Sequence, residues 1–342
     1  MCVSLTLPDL PDLPATRRPP APPLPRPRGP LSARMIALLQ PDPAPAMPVE
    51  PGDPLGEDAQ LGLYVAYELH YRGFAGVDPE AEWDPAVLAL RRGLETRFEA
   101  ALRALVDPHA DTLALRDELE ALAAPPGNTG PSAYLLRHPN RTRLRELMAH
   151  RSMYHLKEAD PQAFVLPRLT GAVKTLVAGV EFDEYGGGDP ARSHSRLFAE
   201  LMGDLDLDPT YGAYLDVVPA PMLALVNLMS WCGLHRRLRG ALIGQLALVE
   251  LSSPLSSQRM VRVLQAHGCG PAAERFYAEH VVADAVHERV MREAIAEAIT
   301  AEPELTADVL FGIRAALLLE QRLDEHLLAA WRAGRSSLHQ AI

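Results

Sequence analysis

His280, Asp284 and His287 stand at offsets of 4 and 7 in FYAEHVVADAVHERV, a stretch rich in helix-forming residues. At roughly 100° per residue, these offsets return all three side chains to one stripe of a helix. Two imidazoles and a carboxylate on one stripe suit a first-row transition metal, and an Asp can bridge two ions. A polar helix face that happens to carry two histidines would look the same. Four upstream residues favour the metal. Glu250 ends ALIGQLALVE, where Gln245 is the only other polar side chain. A carboxylate in such a run is costly to bury unless it is paired or coordinates a cation. Glu158, Glu184 and His194 come from YHLKEAD, VEFDEYGGG and ARSHSRLF. The set is then three His, three Glu and one Asp. Its four carboxylates balance two divalent ions, and mixed imidazole and carboxylate ligation suits iron or manganese better than zinc.

The order and spacing of these residues resemble the heme-oxygenase-like diiron oxidases and oxygenases, a group of iron-containing redox enzymes. From Glu158 the steps are 26 residues to Glu184, 10 to His194, 56 to Glu250 and 30 to His280, and the His-x3-Asp-x2-His triplet completes the pattern. This register is most similar to the N-oxygenase branch, and YELHYRGF, RSMYHLKEADP, FDEYGGGDPARSHSRLF and GLHRRLRGALIG share its character. The resemblance runs from about Gly56 to the end of the chain. It implies an all-α, heme-oxygenase-like helical bundle with additional N-terminal helices. It also implies two Fe(II) ions (manganese being the alternative), O2 as cosubstrate and an external reductant. On that reading His194, Glu250 and His287 serve one ion, His280 and Asp284 mainly the other, and Glu158 and Glu184 complete the shell. The spacing does not say which carboxylate bridges. In the fatty-acid decarboxylating branch a Glu precedes the second-helix His by three residues; Ala191 stands there in this chain, and Glu184 is the natural substitute.

The implied function is N-oxygenation of an amine, guanidine or amino acid in specialised metabolism. The alternatives are C–C cleavage, decarboxylation or desaturation of a fatty acid or amino acid by the same metals, and a non-catalytic helical binding protein. The expected partners are a small-molecule substrate and an electron donor, and a homodimer is compatible. Three ligands spread over about 10 Å of helical rise should force the 280–287 segment to bend or unwind locally when a compact metal pair binds. Other candidates have plainer readings. Glu146 and His150 (i,i+4) read as a surface pair, and His155 as a neighbour that could orient Glu158. Arg236, Arg237 and Arg239 could hold a substrate carboxylate but default to a solvated face. Tyr211, Tyr214 and Tyr277 could line a pocket but are more often core, and Trp231 and Cys232 read as packing.

The elements that must position these residues are helical. The 342 residues are 48% hydrophobic but only 6% aromatic, which favours helices over strands. A formal charge of −11 argues against nucleic acid as the main partner. No apolar run is long enough for a membrane span, and Cys2, Cys232 and Cys269 lack framework spacing, which suggests reduced thiols in the cytoplasm. Half of the 32 prolines fall in the first 54 residues. Residues 1–56 are therefore expected to be a disordered, Pro-rich tail without helix, either dispensable, with Met35 or Met47 as an alternative start, or a PxxP-type docking segment. Residues 57–130 should form auxiliary helices near 58–72, 84–106 and 111–124, ending in a loop over 124–132. Residues 131–342 should form the catalytic domain, with helices near 140–158, 161–185, 190–206, 219–234, 236–252, 256–267, 271–299 and 304–332. Asp84-Pro85 and Asp160-Pro161 read as helix starts. The ferritin-like pair of Glu-x-x-His motifs is missing, which favours the heme-oxygenase-like bundle over a four-helix carboxylate bundle.

Overall fold

A computed structural model describes residues 21–41, 52–125 and 127–342. Among them the structure is all-α, without strands. The helices are α1 (Pro30–Leu38), α2 (Glu57–Glu68), α3 (Pro85–Leu105), α4 (Thr112–Leu122), α5 (Gly130–Arg137), α6 (Arg141–His155) and α7 (Asp160–Ala163). Then follow α8 (Gly171–Glu184), α9 (His194–Asp204), α10 (Ala220–Leu234), α11 (Arg239–Ala266), α12 (Pro271–Ala301) and α13 (Leu305–Arg332). No helix among the described residues is long and apolar enough to cross a membrane.

The three long C-terminal helices organise the rest. α11 packs along both α12 and α13, and α12 also meets α8 and α9. The helices carrying Glu184, His194 and Glu250 thereby surround α12. The α11–α13 crossing is close enough that neither helix can carry a side chain there. A Cβ on Gly244 would fall 2.1 Å from the Val309 carbonyl oxygen, and one on Gly312 would fall 1.9 Å from that of Ala241. Glycine is required by this approach of two backbones.

Local signals set most boundaries. Asp84 caps α3 through the amides of Ala86 and Val87, with Pro85 in the first turn. Asn140 and Asp111 cap α6 and α4 in the same way. Four expectations fail. The Pro-rich segment was expected to lack helix, yet α1 forms within it, with Met35 fully buried. Its missing N-cap is supplied from outside the helix. Asp58 of α2 accepts from the amides of Leu31 (2.8 Å) and Ser32 (2.7 Å) and from the Ser32 hydroxyl (2.6 Å). Residues 1–20 and 42–51 of the expected tail lie outside the described residues. The single helix expected over 161–185 is split into α7, a 3-10 turn at Leu166–Arg168 and α8. Pro167 and the left-handed Gly171 (φ 59°) interrupt it, and the Asp160 side chain accepts from Tyr185 rather than capping. Conversely, the break expected near 253–255 is absent. α11 runs through Pro254, whose only necessary loss is the bond to the Glu250 carbonyl one turn back, while burial against α12 and α13 holds both halves in line. Finally, α5 begins inside the expected loop.

Glu146 and His150 are buried rather than on a surface. Glu146 accepts from Trp331 Nε1 and from the Ser337 amide and hydroxyl, so the pair fastens the C-terminal turn. Burial pushes the His150 imidazole down to about 3. Cys232 and Cys269 are free thiols, and Trp231 and Cys232 are fully buried packing residues.

Replacing Gly312 with Ala is expected to destabilise the protein by about 1–3 kcal/mol, the usual cost of overpacking, because α11 and α13 must separate. Gly334→Ala, at a position with open space around it, tests mainly the cost of its positive φ. Urea titrations showing Gly312→Ala no less stable than wild type would contradict the tight crossing.

Candidate metal centre

Seven residues from five elements converge inside the bundle. α12 projects His280, Asp284 and His287, α11 Glu250, α8 Glu184 and α9 His194. Glu158 follows the end of α6, in a turn closed by Ala159 in the left-handed region (φ 74°). All seven are at most 6% exposed. Their ligand atoms form two groups in which every atom lies within 4.8 Å of the others: Glu158, Glu184, His194 and His280; and Glu184, Glu250, Asp284 and His287. Glu184 belongs to both and is the one residue they share, so a pair of ions held by the two groups would have it in common.

This partition differs from the expected one. His194 stands beside His280, with ring centroids 4.2 Å apart, not beside Glu250 and His287. Asp284 joins Glu250 and His287. α12 is unbroken over 271–301, and the bending expected at 280–287 concerns the protein with metal bound. One helix faces two groups in succession, His280 serving the first and Asp284 with His287 the second, so no single ion must gather all three.

The unsatisfied atoms fit a cation. Both Asp284 oxygens, Glu158 Oε2 and His194 Nδ1 are buried without a hydrogen bond. His194 Nδ1 lies 2.6 Å from Glu184 Oε2, a close contact without hydrogen-bond alignment. Buried oxygen and nitrogen lone pairs left open in this density are costly unless a metal takes them. Neighbours fix the rings. His280 Nδ1 is bonded to the Phe276 carbonyl at 2.7 Å, leaving Nε2 for the centre. His287 Nε2 is held by Asp183 at 3.2 Å, turning Nδ1 toward Glu250 at 3.0 Å. His155 Nδ1 lies 2.9 Å from Glu158 Oε1 and orients that carboxylate.

Electrostatics follow from crowding. Burial alone would lower His280 and His287, but the hydrogen bond to Glu158 raises His280 to about 10, and Asp284 with Glu250 raises His287 to about 11. Burial raises Glu158, yet His155 and His280 more than reverse it and hold it well below the usual carboxylate range. Burial and Asp284 push Glu250 up to about 8.

Two participants escaped the sequence reading. Glu181 is 3% exposed, lines the same small chamber as Glu158, Glu184 and Glu250, and has neither oxygen hydrogen-bonded. Burial, then Glu184 and Glu250, raise it to about 9. Asp183 was the other. Both sit in the acid-rich VEFDEY, where helix phase alone separates inward from outward acids. The arginines at 236–239 do not enter the centre: Arg237 pairs with Glu99 and Arg239 with Glu302 at the outside of the bundle. Tyr211 bonds Glu68 at 2.7 Å in a separate buried network with Lys157, and the Tyr214 hydroxyl accepts from the Asp208 amide at 2.9 Å. Tyr277, by contrast, lines a larger cavity of about 470 Å³ that reaches Glu158 and His280.

Known proteins agree with this picture. A family model described as iron-containing redox enzyme matches residues 145–321, just over half of the chain and spanning all seven residues. A solved structure of a CADD-like protein of unknown function from Nostoc punctiforme superposes with a TM-score of 0.51 at 16% identity, over 63% of this chain and 95% of that one. That likeness concerns the fold. No curated protein matches the chain.

Ligation requires neutral imidazoles, so metal binding must displace the protons that His280 and His287 hold in the free protein. Affinity for Fe(II) is expected to weaken as pH falls, by up to about tenfold per pH unit for each proton displaced. Calorimetry at pH 7 in two buffers of different ionisation heat checks this, and equal heats in both would contradict it. Asp284→Ala should bind one iron fewer than wild type with an unchanged far-ultraviolet helical signal. Full iron content in that variant would remove Asp284 from the centre.

Proposed function

This chain belongs to the family of iron-containing redox enzymes, and we propose that it is an O2-activating, non-heme diiron oxygenase that oxidises the nitrogen of an amine, guanidine or amino acid. The supporting observation is the pair of buried four-residue groups joined at Glu184. Three neutral imidazoles and four carboxylates balance two Fe(II) ions, and such a pair supplies the two electrons that dioxygen needs for its first reduction. Each ion would have its own set: Glu158, His194 and His280 for one, Glu250, Asp284 and His287 for the other. An external electron donor would restore the reduced state, and we place the reaction in the cytoplasm, without nucleic acid as a partner.

The protein's own groups do the rest. Asp183, the Phe276 carbonyl and His155 hold the ligands in fixed orientation, so little reorganisation accompanies binding. The larger cavity touches Glu158 and His280 but none of Glu250, Asp284 or His287. Substrate would therefore approach the first ion. Its walls combine Leu147, Leu225, Met229, Leu248 and Phe276 with Arg151, Glu320, Asp324 and four serines of α11. A cavity with so polar an end suits an amine or amino acid better than a fatty acid, which supports N-oxygenation over fatty-acid oxidation by the same centre.

The test loads the anaerobic protein with Fe(II), counts iron, then adds O2 with a panel of amines, amino acids and fatty acids and weighs the products. Two irons per chain and an amine product heavier by oxygen are expected. Release of CO2 or an alkene from a fatty acid would favour carbon oxidation by the same centre.

A further inference from the structure

We propose that the end of the large cavity remote from the metals is a cation site, in which Asp324 holds a positively charged group of the substrate away from the reacting nitrogen. This rests on the cavity serving the proposed metal centre, and deepens that reading by assigning the substrate a second, cationic end.

Three observations carry it. First, the cavity spans the needed length. On the continuous α11 it is lined from Leu248 to Met260, twelve residues that correspond to about 18 Å of rise. A molecule stretched between Asp324 and the first ion is therefore an extended chain rather than a compact ring. Second, the charges at the far end are unequally engaged. Arg151 is occupied by Glu320, which takes two of its N–H groups at 2.7 and 2.8 Å in a bidentate pair. Arg259 donates to the Gly127 carbonyl at 2.9 Å. Asp324, one turn beyond Glu320 on α13, accepts no hydrogen bond from the described residues. An incoming carboxylate at Arg151 would compete with Glu320, whereas an ammonium or guanidinium finds an open acceptor in Asp324. Third, Asp324 is only partly exposed, and burial lifts its carboxyl to about 7 despite the nearby Arg151. A cation settling there would hold it ionised and remove that penalty.

Space confirms the direction of the side chain. A Cβ on Gly130, itself in the left-handed region, would come 3.2 Å from Asp324 Oδ2. Gly130 and the Ser132 side-chain position beside it line the same cavity. Glycine at 130 thus leaves the carboxylate clear of a side chain in the facing turn.

The experiment uses the full chain, incubated anaerobically with Fe(II) so that no turnover occurs, with iron measured on every sample. n-Hexylamine, n-hexanol and hexanoate serve as probes in calorimetric titrations near pH 7.5. Wild type should bind n-hexylamine at least about tenfold more tightly than n-hexanol or hexanoate, the scale of one charge-assisted hydrogen bond. Asp324→Asn should lose that preference while keeping its iron. Hexanoate binding as tightly as n-hexylamine, or an unchanged n-hexylamine affinity in Asp324→Asn, would overturn the proposal. The comparison of the three probes on wild type decides the matter even where the variant does not fold. Protein that takes up no iron during the incubation yet still shows Asp324-dependent amine binding would sink the metal reading and leave the cation site standing.

Discussion

Burying eight ionisable groups at the centre of a helical bundle is the constraint on which the rest of this structure depends. Seven of them form the two candidate metal-binding groups, and Glu181 is the eighth. In water each would be solvated; inside, Glu158 lies against protonated imidazoles, while burial pushes Glu181 and Glu250 toward the neutral form. His280 and His287 accordingly sit far above the usual range for histidine. A buried ion pair assembled this way contributes little to stability, because desolvation consumes most of the attraction. The fold is held elsewhere, by the α11–α13 crossing, by the apolar faces of α10 and α13, and by the ties that bring α1 and the C-terminal turn onto the bundle.

This division explains what could be seen in the sequence. Part of the cluster that the structure gathers was legible from local signals: His280, Asp284 and His287 declare a common face by their offsets, and Glu250 is conspicuous in an apolar run, whereas Glu158, Glu184 and His194 stood out only through the spacing of the family they resemble. The all-helical class was equally open to view. The division of the seven into two groups was not, since it depends on how α9 and α11 lie across α12, which no spacing encodes. Glu181 and Asp183 were hidden by their neighbours, because three acids in four residues look alike until the rotation of α8 is fixed.

The failures at α1 and Pro254 have a common cause. Both are places where tertiary contacts overrule a local rule. Proline density argued against helix in the first segment, yet the cap for α1 is Asp58, a residue of another helix. Proline argued for a break in α11, yet a helix with partners along both sides loses little by forfeiting one hydrogen bond. Local chemistry also set the turn after α6, where Ala159 adopts a conformation costly for any residue with a Cβ; the adjoining Glu158 is aimed inward by that turn.

The unbroken α12 acts as a ruler. Its fixed rise per residue sets the separation between His280 and the Asp284–His287 pair, and with it the spacing of anything the two groups hold. The two sites cannot drift apart or together independently, because a shift of this helix along its axis moves both by the same amount. An enzyme so built would tune its reactive centre through the seating of one rod against its neighbours, and substitutions far along α12, where it rests on α11, could alter both sites without touching either.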